Sequence, residues 1–92
     1  MSDICKVYRN FLKYKGSDNA EIYFSTAKGK KFAVRTPEGN IVNFGQKGYT
    51  DYTKHQDETR RRAYLARAMN INGNWAKDKY SPNNLAINVL WQ

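Results

Sequence analysis

The sequence predicts an α+β domain, a three-stranded antiparallel β-meander packed with an N-terminal helix, a central helix and a short C-terminal helix. Three observations carry that expectation. Apolar residues recur at helical spacing near the start of the chain and again past its middle; three short runs rich in aromatic and β-branched residues lie between; and turn residues separate those runs at hairpin spacing. At 92 residues the chain has room for one hydrophobic core, so residues 1–92 are expected to form a single small basic domain.

Ile4, Val7, Tyr8, Phe11 and Leu12 fall at i, i+3, i+4, i+7 and i+8, which places them on one face of a helix. Ser2 or Asp3 can cap its start, and Gly16 can end it. Cys5 on this helix reads as a small buried apolar residue. The strands are EIYFST at 21–26, KKFAVRT at 30–36 and NIVNFG at 40–45, joined by AKGK and PEGN. Alternation sets Phe32 and Val34 on one face of the sheet and Lys31, Ala33 and Arg35 on the other, giving one buried and one basic face.

Gly45 and Gly48 break the sheet, and a loop rich in tyrosine leads to a helix expected from Asp57 to Asn70. Tyr64, Leu65, Ala68 and Met69 form its apolar stripe. Arg61 falls within that stripe and therefore needs a partner or must reach the rim. Asn72-Gly73-Asn74 closes the helix, and Ser81-Pro82 opens the last one, whose residues Leu85 to Trp91 are the most hydrophobic of the chain. Phe32, Val34, Phe44, Leu65, Leu90 and Trp91 are the expected core.

Sixteen Lys and Arg against eight Asp and Glu give a formal net charge of +8, which favours acidic partners. Hydrophobic residues at 40% are enough for a core, so the chain is not a disordered basic tail. A single cysteine excludes an internal disulfide, and Cys5 with His55 is too small a donor set for zinc, so no cofactor is expected and a reducing compartment fits best. The apolar stretches are short and interrupted by charge, and Met1 leads straight into Ser2-Asp3; neither a secretory signal nor a membrane span is expected.

Twenty residues, GYTDYTKHQDETRRRAYLAR at 48–67, concentrate the polar chemistry. His55 follows Asp51 and precedes Asp57, but no Gly-rich phosphate loop, serine elbow or paired-carboxylate motif accompanies it, so neither an enzyme nor a small-molecule substrate is expected. The expected role is structural: Asp51 or Asp57 pairs one of Arg60, Arg61 and Arg67, with His55 and Tyr64 in the same network. Tyr49, Tyr52 and Trp91 read as aromatic anchors, although tyrosines here are also able to stack bases. The basic residues fall in groups: Lys28, Lys30, Lys31 and Arg35 on the hairpin, Arg60, Arg61, Arg62 and Arg67 on the helix, and Lys6, Arg9, Lys13 and Lys15 at the N-terminus. If hairpin and helix groups converge, they form a polyanion or partner-binding surface, with Lys30, Lys31 and Arg62 the most exposed.

The same segment, with NFG before it, resembles a family of small basic proteins encoded by large nucleocytoplasmic DNA viruses of the algal-virus and giant-virus type. The pattern is a strand ending in FG, then G-Y-S/T-D-Y-T, a His, an Asp and Y-L-A-R, matched by Phe44, Gly45, Gly48 to Thr53, His55, Asp57 and Tyr64 to Arg67. The tail KYSPNNLAINVLW is similar to one variant of that family's ending. The resemblance covers about residues 30–92 and leaves residues 1–28 aside; after Y-L-A-R, where many members are more basic, this chain reads AMNINGNW. It implies a non-enzymatic virion-associated protein, a minor capsid or core component that binds acidic surfaces of capsid or core proteins. The alternative is a sequence-independent nucleic-acid-binding protein acting on viral DNA or RNA. Either acts in the virion or the infected-cell cytoplasm.

Overall fold

Helix α1, Ile4–Lys15, begins where the Asp3 carboxylate accepts hydrogen bonds from the backbone N–H of Cys5 at 3.1 Å and of Lys6 at 3.3 Å. It stops at Gly16, whose φ of 58° suits a residue without a Cβ. The computed structural model describes residues 2–48 and 50–92. The apolar face of α1 is narrower than its spacing predicts. Val7 and Phe11 are buried, whereas Ile4, Tyr8 and Leu12 are exposed, and so is Cys5. The helix turns toward the C-terminal segment, where Asn10 Nδ2 donates to the Val89 carbonyl at 2.9 Å, and the far flank of its stripe is left over the edge of a sheet only three strands wide.

The sheet has the expected order, with β1 (Glu21–Phe24), β2 (Lys30–Arg35) and β3 (Ile41–Gln46) in an antiparallel meander. Phe24 pairs with Phe32 and Phe32 with Phe44; Ile22 pairs with Val34 and Val34 with Val42. These side chains share the face that packs on α1 and on the C-terminal helix, with Phe32, Val34 and Phe44 at 5% exposure or less. The other face carries the exposed Arg35, paired with Glu21, but it is not uniformly basic. Ala33 is buried because a small side chain between Tyr23 and Asn43 is hidden by its neighbours. Lys31, expected outside, is largely enclosed and ion-paired.

The tyrosine-rich connection contains a short helix, α2 (Tyr52–His55), started by Asp51 and ended at Gln56 with φ 54°. Helix α3, Glu58–Met69, lies between the caps Asp57 and Asn70, which bounds it where the sequence suggests. Within it only Ala68 is buried; Tyr64 and Leu65 are half-buried and Met69 is exposed, so the four-residue stripe is reduced to a weak one. A single turn of tight helix at Trp75–Lys77 leads to α4 (Pro82–Leu85), capped by Ser81, which runs on as a wider π-helical segment, Ala86–Leu90. Leu85, Ile87, Val89 and Leu90 are buried, while Trp91 is only half-buried.

Candidate functional site

Helix α3 buries only Ala68 and is tied to the body of the protein near both ends, with Tyr64 packed against the core between them. At the start, Arg61 Nε donates to the Trp91 carbonyl at 2.9 Å, Nη1 reaches Glu58 at 3.1 Å, and the guanidinium lies 5.3 Å from the centre of the Tyr52 ring. This answers the need for a partner inside the stripe: the arginine is satisfied by a carbonyl, an acid and a ring. Glu58, not Asp51 or Asp57, is its acid; the i, i+3 spacing is the signal for it. Tyr52 Oη donates to Glu58 at 3.1 Å, and that bond, with Arg61 beside it, holds the Glu58 carboxyl below its ordinary range. At the far end, Asn83 Nδ2 donates to the Ala68 carbonyl at 3.0 Å.

Between these ties, α3, the β2–β3 end of the sheet and the C-terminal helix enclose a cleft of about 800 Å³. Pro82, Ala86, Leu90, Trp91, Tyr64 and Ile71 supply an apolar wall, and Lys30, Arg60 and Arg67 stand exposed on the rim. Trp91 and Tyr64 lie face to face, with ring centres 4.2 Å apart and planes within 5°. Burial raises the Tyr64 hydroxyl pKa. His55 packs its ring 5.3 Å from that of Trp91, and its Nδ1 accepts the Asp57 N–H at 2.9 Å. Its Nε2 is buried with no hydrogen-bond partner among the described residues.

The hairpin and helix cations do converge, in part. Lys30, Lys31, Arg60 and Arg67 border the cleft; Lys28, Arg35 and Arg62 do not. Lys31 serves a different purpose from the exposed role expected of it. Its Nζ lies 3.0 Å from the Asp51 carboxylate, which is 1% exposed and also accepts the Thr53 N–H at 3.1 Å and the hydroxyls of Ser2 and Thr53. Thr53 Oγ1 in turn accepts the Asp3 N–H at 3.0 Å, which ties the start of α1 to the β3–α2 connection. Asp57 pairs only loosely with Arg60, at 3.7 Å in solvent, and Arg67 makes no ion pair among the described residues. Tyr49 lies outside the described residues. Tyr52 lies under the Arg61 guanidinium and Trp91 against the Tyr64 ring, so each touches α3.

Sequence reasoning missed a second polar cluster, far from the cleft. Asp18 accepts from Lys79 at 2.8 Å and from Tyr80 at 2.6 Å, and Tyr14 Oη donates to the Lys79 carbonyl at 2.6 Å. More than sixty residues separate Asp18 from its partners, so no local spacing reveals it.

No group of His, Cys, Asp and Glu among the described residues is arranged to hold a metal ion, and no described helix is long and apolar enough to cross a membrane. The chain matches a family described as "Family of unknown function (DUF5754)" over residues 20–68, more than half its length. It belongs to that family. The DUF5754 match runs from just before β1 to Ala68 near the end of α3, so it takes in the sheet, Asp51 with Lys31 and Thr53, and one wall of the cleft, while Ser2 and the C-terminal wall lie beyond it. No curated protein and no solved structure matches the chain.

Proposed function

We propose that the protein is a non-enzymatic adaptor whose cleft binds an acidic protein segment, and that it serves as a minor capsid or core component of a large DNA virus. The observation that carries the binding reading is the apolar wall of Leu90, Ala86 and Trp91 beneath a rim of Lys30, Arg60 and Arg67. An apolar centre with a cationic edge suits a partner that offers an apolar anchor flanked by carboxylates. The viral setting rests on the resemblance of the GYTDYT to YLAR segment.

A second reading, sequence-independent binding of DNA or RNA, is favoured by the same convergence of cations and by the +8 net charge. The aromatic residues weigh against it. Tyr64 and Trp91 spend a face on each other, His55 lies against Trp91, and the Tyr52 ring carries Arg61, so these rings are already engaged.

Titration of DNA and heparin at two salt concentrations separates the readings. The adaptor reading expects weak binding that is the same for both polyanions and is lost near physiological salt. DNA-preferring binding that persists there overturns it, because phosphate contacts would then be the protein's main work. In that case log affinity should fall with log salt by about 0.7 to 0.9 per phosphate contact. Detection of the chain in purified, nuclease-treated particles tests the virion assignment.

A further inference from the structure

An uncharged surface lies away from the cleft, between α1 and the outer edge of β1. Ile4, Tyr8, Tyr23 and Phe24 are all exposed there, Phe24 at 70%, around a groove of about 170 Å³ whose lining side chains carry no charge. On a chain with sixteen Lys and Arg, such a surface is not built for a polyanion.

The backbone at this edge is equally available. Ser25 N–H donates to the Lys31 carbonyl at 3.0 Å, which continues the register that sets Tyr23 against Ala33 and Glu21 against Arg35. Bonded residues alternate along an antiparallel pair, so residues 21, 23 and 25 turn their backbone groups toward β2, while Ile22 and Phe24 turn theirs outward. No described residue outside the sheet bonds to those outward groups. Protected edges usually carry Lys, Pro or a bulge; EIYF has none of these and relies on its shortness.

We propose that this edge pairs with the same edge of a second copy, making a two-fold dimer with one six-stranded sheet. The two outward residues fix the register. Ile22 faces Phe24 of the second copy, Phe24 faces its Ile22, and Tyr23 meets Tyr23 on the axis. Ile22 and Phe24 lie on the sheet face toward α1, because their partners in β2 are the core residues Val34 and Phe32. Phe24 of each copy therefore enters the groove beside Ile4 and Tyr8 of the other. An exposed knob next to its own groove is what an isologous contact requires. The ends do not oppose the pairing: Glu21, held by Arg35 of its own chain, falls opposite the uncharged Ser25 of the second copy.

Sedimentation or light scattering over a concentration series should show a monomer–dimer equilibrium. Phe24→Lys should weaken it about a thousandfold, because the two-fold axis puts two such residues in the interface and each aromatic hot spot is typically worth about thirtyfold. The thermal midpoint of the dilute monomer should hold, since the ring is mostly exposed. In a Cys5→Ser background, Tyr23→Cys should form a disulfide-linked dimer on mild oxidation, because Cα atoms of a non-bonded antiparallel pair sit about 4.5 Å apart. Ile41→Cys, exposed on the opposite edge strand, should not. A monomer persisting at ~1 mM chain, in a range where even weak self-association shows, overturns the proposal and leaves the edge for a strand of another protein. Crosslinking at residue 41 as ready as at residue 23 overturns it too.

Discussion

Asp51 concentrates the polar design of the protein in one side chain. A buried carboxylate needs donors on every side, and here Lys31, Ser2 and two groups of Thr53 supply them. Asp51→Ala should destabilise the fold by about 3 to 5 kcal/mol in denaturant titration, because the Lys31 ammonium is left enclosed without its counter-charge. The structural role of Asp51 is legible in the sequence; its partner is not. Strand alternation sends Lys31 outward, and only the return of the β3–α2 connection over the end of β2 encloses it.

Gly45 shows the same blend of local and distant constraint. Its φ is 78°, and an added Cβ would lie 3.0 Å from Leu90 and 3.3 Å from the Lys31 Cβ. Gly45→Ala should cost more than the ~1 kcal/mol typical of a simple positive-φ site, measured by urea unfolding. The glycine marks a break in the sequence; the close approach of Leu90 is a tertiary fact.

The Asp18 cluster sets a pH response. Bonds from Lys79 and then Tyr80 hold the Asp18 carboxyl below its ordinary 3.8, so their contribution is present above that value and is lost as pH falls through the lower folded-state pKa. Burial, then the bond to Asp18, raises the Tyr80 hydroxyl well above its ordinary 10.0. Its sign is the reverse: the contribution is intact below pH 10.0 and is lost as pH rises beyond it toward the folded-state pKa. Asp18→Asn should flatten the acid arm of a thermal-midpoint profile against pH and only reduce the alkaline arm, because the burial of Tyr80 remains.

At the scale of elements, the meander and the helix caps were readable because turn chemistry and capping are local. Asp3, Gly16, Asp57, Asn70 and Ser81 all sit where a single stretch of sequence places them. How far each helix is buried was not readable. Ile4, Tyr8 and Leu12 have the spacing of a core face, yet α1 rotates toward Val89 and leaves them in solvent. Likewise α3 buries only Ala68 and is kept in place by Arg61, Tyr64 and Trp91. Trp91→Ala should therefore cost about half the 3–5 kcal/mol of a fully buried aromatic. Its mark should be greatest in α3, where amide exchange should speed up more than in the sheet, since the ring stacks on Tyr64 at the edge of the core.

For the whole molecule, composition points to acidic partners but not to where they bind. The three rim cations come from two separate stretches, and only the fold brings Lys30 to Arg60 and Arg67. The wall was half visible, as the most hydrophobic segment of the chain, but its use as one side of an open cleft depends on α3 standing away from it.

The protein has two tryptophans, and only Trp91 lines the cleft. Trp75 donates its indole N–H at 2.7 Å to the carbonyl of Ile71, a lining residue, so it sits one contact behind the wall. The most direct measurement is a nitrogen-15 NMR titration with a short peptide of glutamates around one leucine. Binding in the cleft predicts saturable shifts of the Trp91 indole and of the Lys30, Arg60 and Arg67 amides, with Arg9 and Lys13 on α1 unmoved. Triple replacement of Lys30, Arg60 and Arg67 by Ala should abolish those shifts while the unfolding midpoint holds. Shifts that spread over every basic residue without saturating, or that leave Trp91 in place, would contradict a binding cleft.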